Sequence, residues 1–128
     1  MTAPARRRPP GRRLSETRRM AHIRADGGTT HFLVTVGYAA EAPLRPVEVF
    51  YSEGFRSGAD LEFLCQDACV LISILLQHGM APMEIARSLS TREAPDGGSA
   101  PGSLAGTIAA GLDEPPAWAD ELARRAAE

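Results

Sequence analysis

THFLVTVGY at residues 30–38 and ADLEFLCQDACVLISILLQH at residues 59–78 decide how this chain folds. In the first stretch Phe32, Val34 and Val36 alternate with His31, Leu33 and Thr35. A period of two among β-branched and aromatic residues predicts a strand with one buried face. The second stretch is apolar and free of proline and glycine, and it predicts one long helix from about Ala59 to His78, with Gly79 as its left-handed terminator.

Upstream, Met20, His22 and Arg24 alternate with Ala21, Ile23 and Ala25, and Asp26-Gly27-Gly28 supplies residues that tolerate a hairpin turn. Downstream, the proline-containing stretch from Ala39 to Pro46 reads as a loop. Val47, Val49 and Tyr51 then alternate with Glu48, Phe50 and Ser52 as a third strand. Connections this short make adjacent strands antiparallel, because a parallel pair needs a crossover of about a dozen residues or more. The predicted fold class is therefore α+β: a small antiparallel three-stranded meander packed on one long apolar helix, followed by short helices.

Ser57 and Asp60 stand at capping-box spacing ahead of the long helix. Projection at 100° per residue puts Glu62, Gln66, Ser73 and Gln77 on a narrow polar stripe, with Leu61, Leu64, Ala68, Leu71, Ile72, Leu75 and Leu76 opposite and Phe63, Val70 and Ile74 widening the apolar arc. So wide an arc calls for cover beyond the sheet, from later helices or from a partner subunit. Pro82 opens a short helix ending near Leu89. Residues 91–102 read as a glycine- and proline-rich loop, Ser103 caps a helix carrying Leu104, Ile108 and Leu112, and Pro115-Pro116 restarts the chain as a last helix with Trp118 and Leu122.

The chain of 128 residues has room for one domain with a modest core. No apolar stretch approaches the roughly 20 residues of a membrane span, and no apolar segment follows the first arginines as in a secretory signal, so the expected compartment is the cytoplasm. Charge is unevenly placed: residues 1–24 hold eight Arg and one Glu, and the remainder six Arg and fifteen Asp or Glu. All the basic residues are arginine. Residues 1–17, with Arg6-Arg7-Arg8, Pro9-Pro10-Gly11 and Arg12-Arg13, have too few apolar side chains to offset ordering entropy and are expected to form a disordered arm. Arg6, Arg7, Arg8, Arg12 and Arg13 are its candidate nucleic-acid contacts, whereas the acidic body repels phosphate.

Chemistry is sparsely signalled elsewhere. Cys65 and Cys69 share a helix face at i, i+4, but two thiols make an incomplete zinc site and no Cys-x-x-Cys pair is present, so they read as small apolar side chains. His22, His31 and His78 form no spaced ligand pair. The run from Asp96 to Ser103 precedes a helix and lies near Arg92, which suits an anion cradle, yet it is neither a Walker sequence nor a dinucleotide fingerprint. No catalytic, cofactor-binding or metal-binding residue is assigned.

With these residues laid out, the segment from Arg18 to Leu112 resembles the TSCPD domain, the small domain appended to the C-terminal side of adenosylcobalamin-dependent ribonucleotide reductases. The resemblance lies in Gly27-Gly28 followed by Thr30 to Val36, in Pro46 to Phe50, and in Gly58 through the long helix to Gly79. The short helix around Met83 to Leu89 and the glycine-rich approach to Ile108 continue it in order. The pentapeptide Thr-Ser-Cys-Pro-Asp is not in the chain.

The resemblance implies a division into an arm at 1–17, a TSCPD-like domain at 18–112 and a C-terminal helix at 113–128. It implies a free-standing accessory domain that is not catalytic alone, because the parent family's chemistry resides in a large barrel, to which the adenosylcobalamin also belongs. The expected partner is a ribonucleoside-diphosphate reductase subunit or a second copy. The competing expectation is a small protein that binds nucleic acid through its arginine-rich arm.

Overall fold

Asp26-Gly27-Gly28 closes the first hairpin. The Asp26 Oδ1 accepts the Gly28 amide at 2.8 Å, Gly27 sits at φ +87°, and the Arg24 amide donates to the Gly28 carbonyl at 2.8 Å. In this computed structural model, which describes residues 5–9 and 13–127, the turn joins β1 (Ser15–Ile23) to β2 (Thr29–Tyr38) as an antiparallel pair with Met20 opposite Phe32. β1 begins at Ser15, well ahead of the alternation visible from Arg19. The extra residues are polar, but β2 is long enough to pair them, Ser15 meeting Gly37. Residues 15–17, grouped above with the arm, thus belong to the sheet.

β3 (Pro46–Glu53) adds to the other side of β2, giving the order β1-β2-β3, all antiparallel. Its register shifts between Leu33 and Val34 and again between Gly37 and Tyr38, two irregularities that bend the strand. Phe32, Val34, Val36 and Val49 are buried on one sheet face, as their alternation predicts.

α1 (Asp60–Gln77) is a single helix. At its C-terminus the Met80 amide reaches the Leu75 carbonyl and the Gly79 amide the Leu76 carbonyl, with Gly79 at φ +94°, a Schellman ending of the kind the glycine predicts. Its start differs from expectation. Ala59 occupies the cap position without a side-chain bond, and Glu62 accepts the Gly58 amide at 3.1 Å in place of the Ser57 and Asp60 capping box.

The larger difference is the helix's orientation. Cys65, Cys69, Ile72, Ser73, Leu76 and Gln77 point inward, whereas Leu61, Leu64 and Leu71 are 48%, 60% and 62% exposed. The cause lies in β3, an edge strand whose outward backbone groups need partners. Ser73 Oγ accepts the Val49 amide at 2.9 Å and donates to the Val49 carbonyl at 3.1 Å, and Gln77 Nε2 donates to the Val47 carbonyl at 3.0 Å. Part of the polar stripe therefore faces the sheet edge, and the leucines opposite are turned out.

α2 (Pro82–Arg87) follows, and then the stretch read as a loop contains a small hairpin, β4 (Thr91–Glu93) paired with β5 (Ser99–Pro101) around Gly97 at φ +89°. α3 (Leu104–Gly111) is capped by Ser103, whose Oγ accepts the Gly106 amide at 3.1 Å as expected. It brings Ile108, Ala109 and Leu112 into one core with Met20, Phe32, Val34, Val36, Ile72, Leu76 and Ile85. Contact there is close: a Cβ on Gly111 would lie 2.7 Å from the Met20 sulfur.

Trp118 then folds back on the sheet. Its indole N–H donates to the Pro43 carbonyl at 2.8 Å and its ring meets Tyr38 edge-on at 5.0 Å. α4 (Ala119–Ala126) beyond it has no buried residue.

Ser73→Ala should cost about 2 kcal/mol or more in urea unfolding, since it strands two buried backbone groups, whereas Leu71→Ala should stay within about 0.5 kcal/mol. The opposite order would mean that α1 presents its other face to the sheet.

Candidate functional site

A cleft of about 460 Å³ opens between β3 and α1. Val49, Phe50 and Tyr51 line it from the strand, Gln66, Cys69, Val70, Ser73 and Gln77 from the helix, and Arg6, Arg8, Pro9 and Arg13 from the chain ahead of β1. Residues 5–9 run beside the end of α1: the Arg7 amide donates to the Gln77 carbonyl at 3.0 Å, and Arg6 Nε donates to Gln77 Oε1 at 2.6 Å. Arg13 pairs with Glu48, whose carboxylate lies across Gly37, where a Cβ would come within 2.5 Å of it. Glycine at 37 thus leaves the room in which a nearly buried carboxylate meets its arginine.

Of the five arginines singled out by sequence, Arg6, Arg8 and Arg13 line this cleft. Arg7 lies with Arg8, Pro9, Glu41 and Arg45 on a smaller neighbouring hollow, and Arg12 lies outside the described residues.

The outward side of α1 is the second feature. Leu61, Leu64, Ala68, Leu71 and Leu75 recur at alternating intervals of three and four, the heptad spacing of a helix-pairing seam. Phe63 and Val70, 52% and 56% exposed, extend it on one side, and Asp67 is its central charge. Large apolar side chains exposed in a row on the outside of a small domain are a candidate interaction surface, and Ala68 between them packs toward the core.

The two cysteines and His22 are buried. Cys65 and Cys69 are free thiols, 0% and 2% exposed, and a hydrogen bond with Cys65, reinforced by burial, holds the Cys69 thiol far above the usual range. Among the described residues no group of three or more His, Cys, Asp or Glu comes together that would hold a metal. His22 is buried on β1, its Nδ1 2.8 Å from Thr107 Oγ1. Burial, then the charges of Arg92 and Arg24, pull its pKa below the ordinary histidine value.

The glycine-rich stretch near Arg92 keeps its amides for itself. Gly98 donates to Asp96 Oδ1, Gly97 to the Ala94 carbonyl and Gly102 to the Ser90 carbonyl, while Arg92 Nη2 reaches the Gly102 carbonyl at 2.7 Å. Arg18 ties the C-terminal segment to the sheet, reaching the carbonyls of Gly111 and Glu114 and the Tyr38 hydroxyl. Beside it burial raises the Glu16 carboxyl, but the Ala117 amide and Arg18 outweigh burial and hold its pKa below the ordinary value.

The family model of the TSCPD domain matches residues 6–115. The chain belongs to that family. The match is wider than the segment from Arg18 to Leu112: it takes in the arginines of the cleft at one end and the Glu114 that Arg18 holds at the other. No curated protein matches the chain, and no solved structure does. Among the described residues of this TSCPD domain, no helix is long and apolar enough to cross a membrane.

Sequence reasoning singled out the wide apolar arc of α1 and the arginines ahead of β1, but not the cleft those arginines border nor the side of the arc that turns outward. The heptad spacing at Leu61, Leu64, Ala68, Leu71 and Leu75 was present to be counted, but a wide apolar arc does not announce which part of it faces the core.

Because the folded value of His22 is depressed, the unfolded chain takes up this proton first, at about pH 6.5. Stability should fall as pH drops through that value and level off once the folded ring is protonated as well. His22→Asn should flatten the slope of the melting temperature between pH 7 and 5; an unchanged slope would remove His22 as its source. Separately, Cys65 and Cys69 should remain unlabelled by a thiol reagent in the native protein and react together in urea, and rapid native labelling of either would place that thiol at the surface.

Proposed function

We propose that this TSCPD domain is a non-catalytic accessory module that acts by association with a ribonucleoside-diphosphate reductase polypeptide in deoxyribonucleotide synthesis, in the cytoplasm. The observation that carries the reading is the outward face of α1, where Leu61, Leu64, Leu71 and Leu75 are exposed along a heptad seam. A seam of this kind is completed by an amphipathic helix laid along it, which buries the leucines that the sheet leaves uncovered. Membership of a family known from ribonucleotide reductases supports that enzyme as the source of the partner surface.

Association also suits the inventory of side chains. The thiols are buried, His22 is held by Thr107, and the described carboxylates nearest the cleft and the C-terminal latch, Glu48 and Glu16, are engaged by arginines. In this reading the radical chemistry and its corrinoid belong to the reductase, and the TSCPD domain supplies a docking surface.

The test is recovery from native extract on the immobilised full chain. The wild type should retain a reductase polypeptide, and Leu64→Glu combined with Leu71→Glu should release it without changing the circular dichroism spectrum or the urea midpoint, because both side chains are exposed. Failure to recover any reductase polypeptide, or equal recovery by the double variant, would overturn the reading.

A further inference from the structure

The cleft between β3 and α1 gathers charge that association through the leucine seam does not use. Three arginines, Arg6, Arg8 and Arg13, line it against one carboxylate, Glu48, and Arg13 already engages that carboxylate. Positive charge therefore remains in excess inside an otherwise acidic body. Arg8 is exposed and makes no hydrogen bond or ion pair with a described residue, and Arg6 spends its Nε on Gln77 out of the five N–H donors that a guanidinium carries. Two planar forks set on one rim match the oxygens of a phosphate group.

The rest of the cleft has a different chemistry. Phe50 from β3 and Val70 from α1, each about half-exposed, add apolar surface to a lining that also includes Val49, Gln66 and Cys69. The space, about 460 Å³, falls in the range of small-molecule sites and is many times what a bare phosphate ion occupies. An anionic head alone would leave most of it unfilled, and an apolar body alone would leave Arg8 unanswered.

We propose that the α1–β3 cleft binds a phosphate monoester with a flat aromatic body, the chemistry shared by mononucleotides and aryl phosphates, with Arg8 and Arg6 on the phosphate and Phe50 against the ring. Arg13 is a positioning residue: its ion pair with Glu48 keeps that carboxylate from meeting the incoming anion. Residues 6–9, hydrogen-bonded to the end of α1, form one wall of the site.

The test is titration of the full chain with 1-naphthyl phosphate, followed by its fluorescence, beside adenosine monophosphate, 1-naphthol and inorganic phosphate. Both phosphate esters should bind saturably, more tightly than 1-naphthol or inorganic phosphate, and more weakly as salt is raised. Arg8→Ala should loosen both by about tenfold or more, the weight of a charge-assisted hydrogen bond, with the urea midpoint unchanged. Phe50→Ala should loosen both esters while sparing inorganic phosphate, and the ratio of the two ester affinities assigns the natural ligand to nucleotides or to aryl phosphates.

Absence of saturable binding, wild-type affinity in the Arg8 variant, or naphthol binding as tightly as its ester would overturn the proposal. So would length-dependent displacement of the ester by a single-stranded oligonucleotide lacking a terminal phosphate, which would give these arginines to a polymer backbone. None of these outcomes bears on the leucine seam, so the cleft and the association surface stand or fall separately.

Discussion

The hydrogen bonds from Ser73 and Gln77 to the backbone of Val47 and Val49 are the constraint on which the rest of the molecule depends. A three-stranded sheet has two edges, and an edge strand left open presents donors and acceptors in a row. Here α1 lies along β3 and answers those groups with two side chains of its own. Once Ser73 and Gln77 are committed, the rotation of the helix about its axis is settled. Cys65, Cys69, Ile72 and Leu76 must then fill the space over the sheet, and Leu61, Leu64 and Leu71 must face away. Removing a hydrogen-bonded backbone pair from its partner costs more than leaving a leucine partly in water, which is why the polar contact wins.

The same placement creates the cleft. A helix held to the strand by the side chains near its C-terminal end leaves a gap along its flank, lined by Gln66, Val70, Phe50 and Tyr51. The chain ahead of β1 borders that gap because the amide of Arg7 and the side chain of Arg6 both find Gln77. One glutamine thus meets the strand on one side and the arginine-rich segment on the other. Arg13 and Glu48 extend the link to the sheet, in space that Gly37 leaves open.

At the opposite edge of the sheet, on β1, Arg18 performs a comparable service for the C-terminal segment. Its guanidinium collects the carbonyls of Gly111, at the end of α3, and Glu114, just beyond it, together with the hydroxyl of Tyr38. Tyr38 in turn carries Trp118. β1 is therefore more than a third strand completing the meander: through Met20, His22 and Arg18 it is the surface on which α3 and the following turn are assembled. The family match ends just past this contact, at residue 115, whereas α4 buries nothing.

Local chemistry was legible from sequence wherever a residue decides its own neighbourhood. The alternation at Phe32, Val34 and Val36, the turn at Asp26-Gly27-Gly28, the Schellman glycine at Gly79 and the cap at Ser103 all act within a few residues of themselves, so the chain alone determined three strands, a long helix and their antiparallel order. The small hairpin around Gly97 escaped because three-residue strands carry no readable period. What tertiary structure decided was orientation: which face of α1 turns inward, and what Arg6, Arg8 and Arg13 border. Those outcomes rest on pairs such as Ser73 with Val49 and Gln77 with Val47, remote in sequence, whose energy exists only after the strand edge and the helix have met.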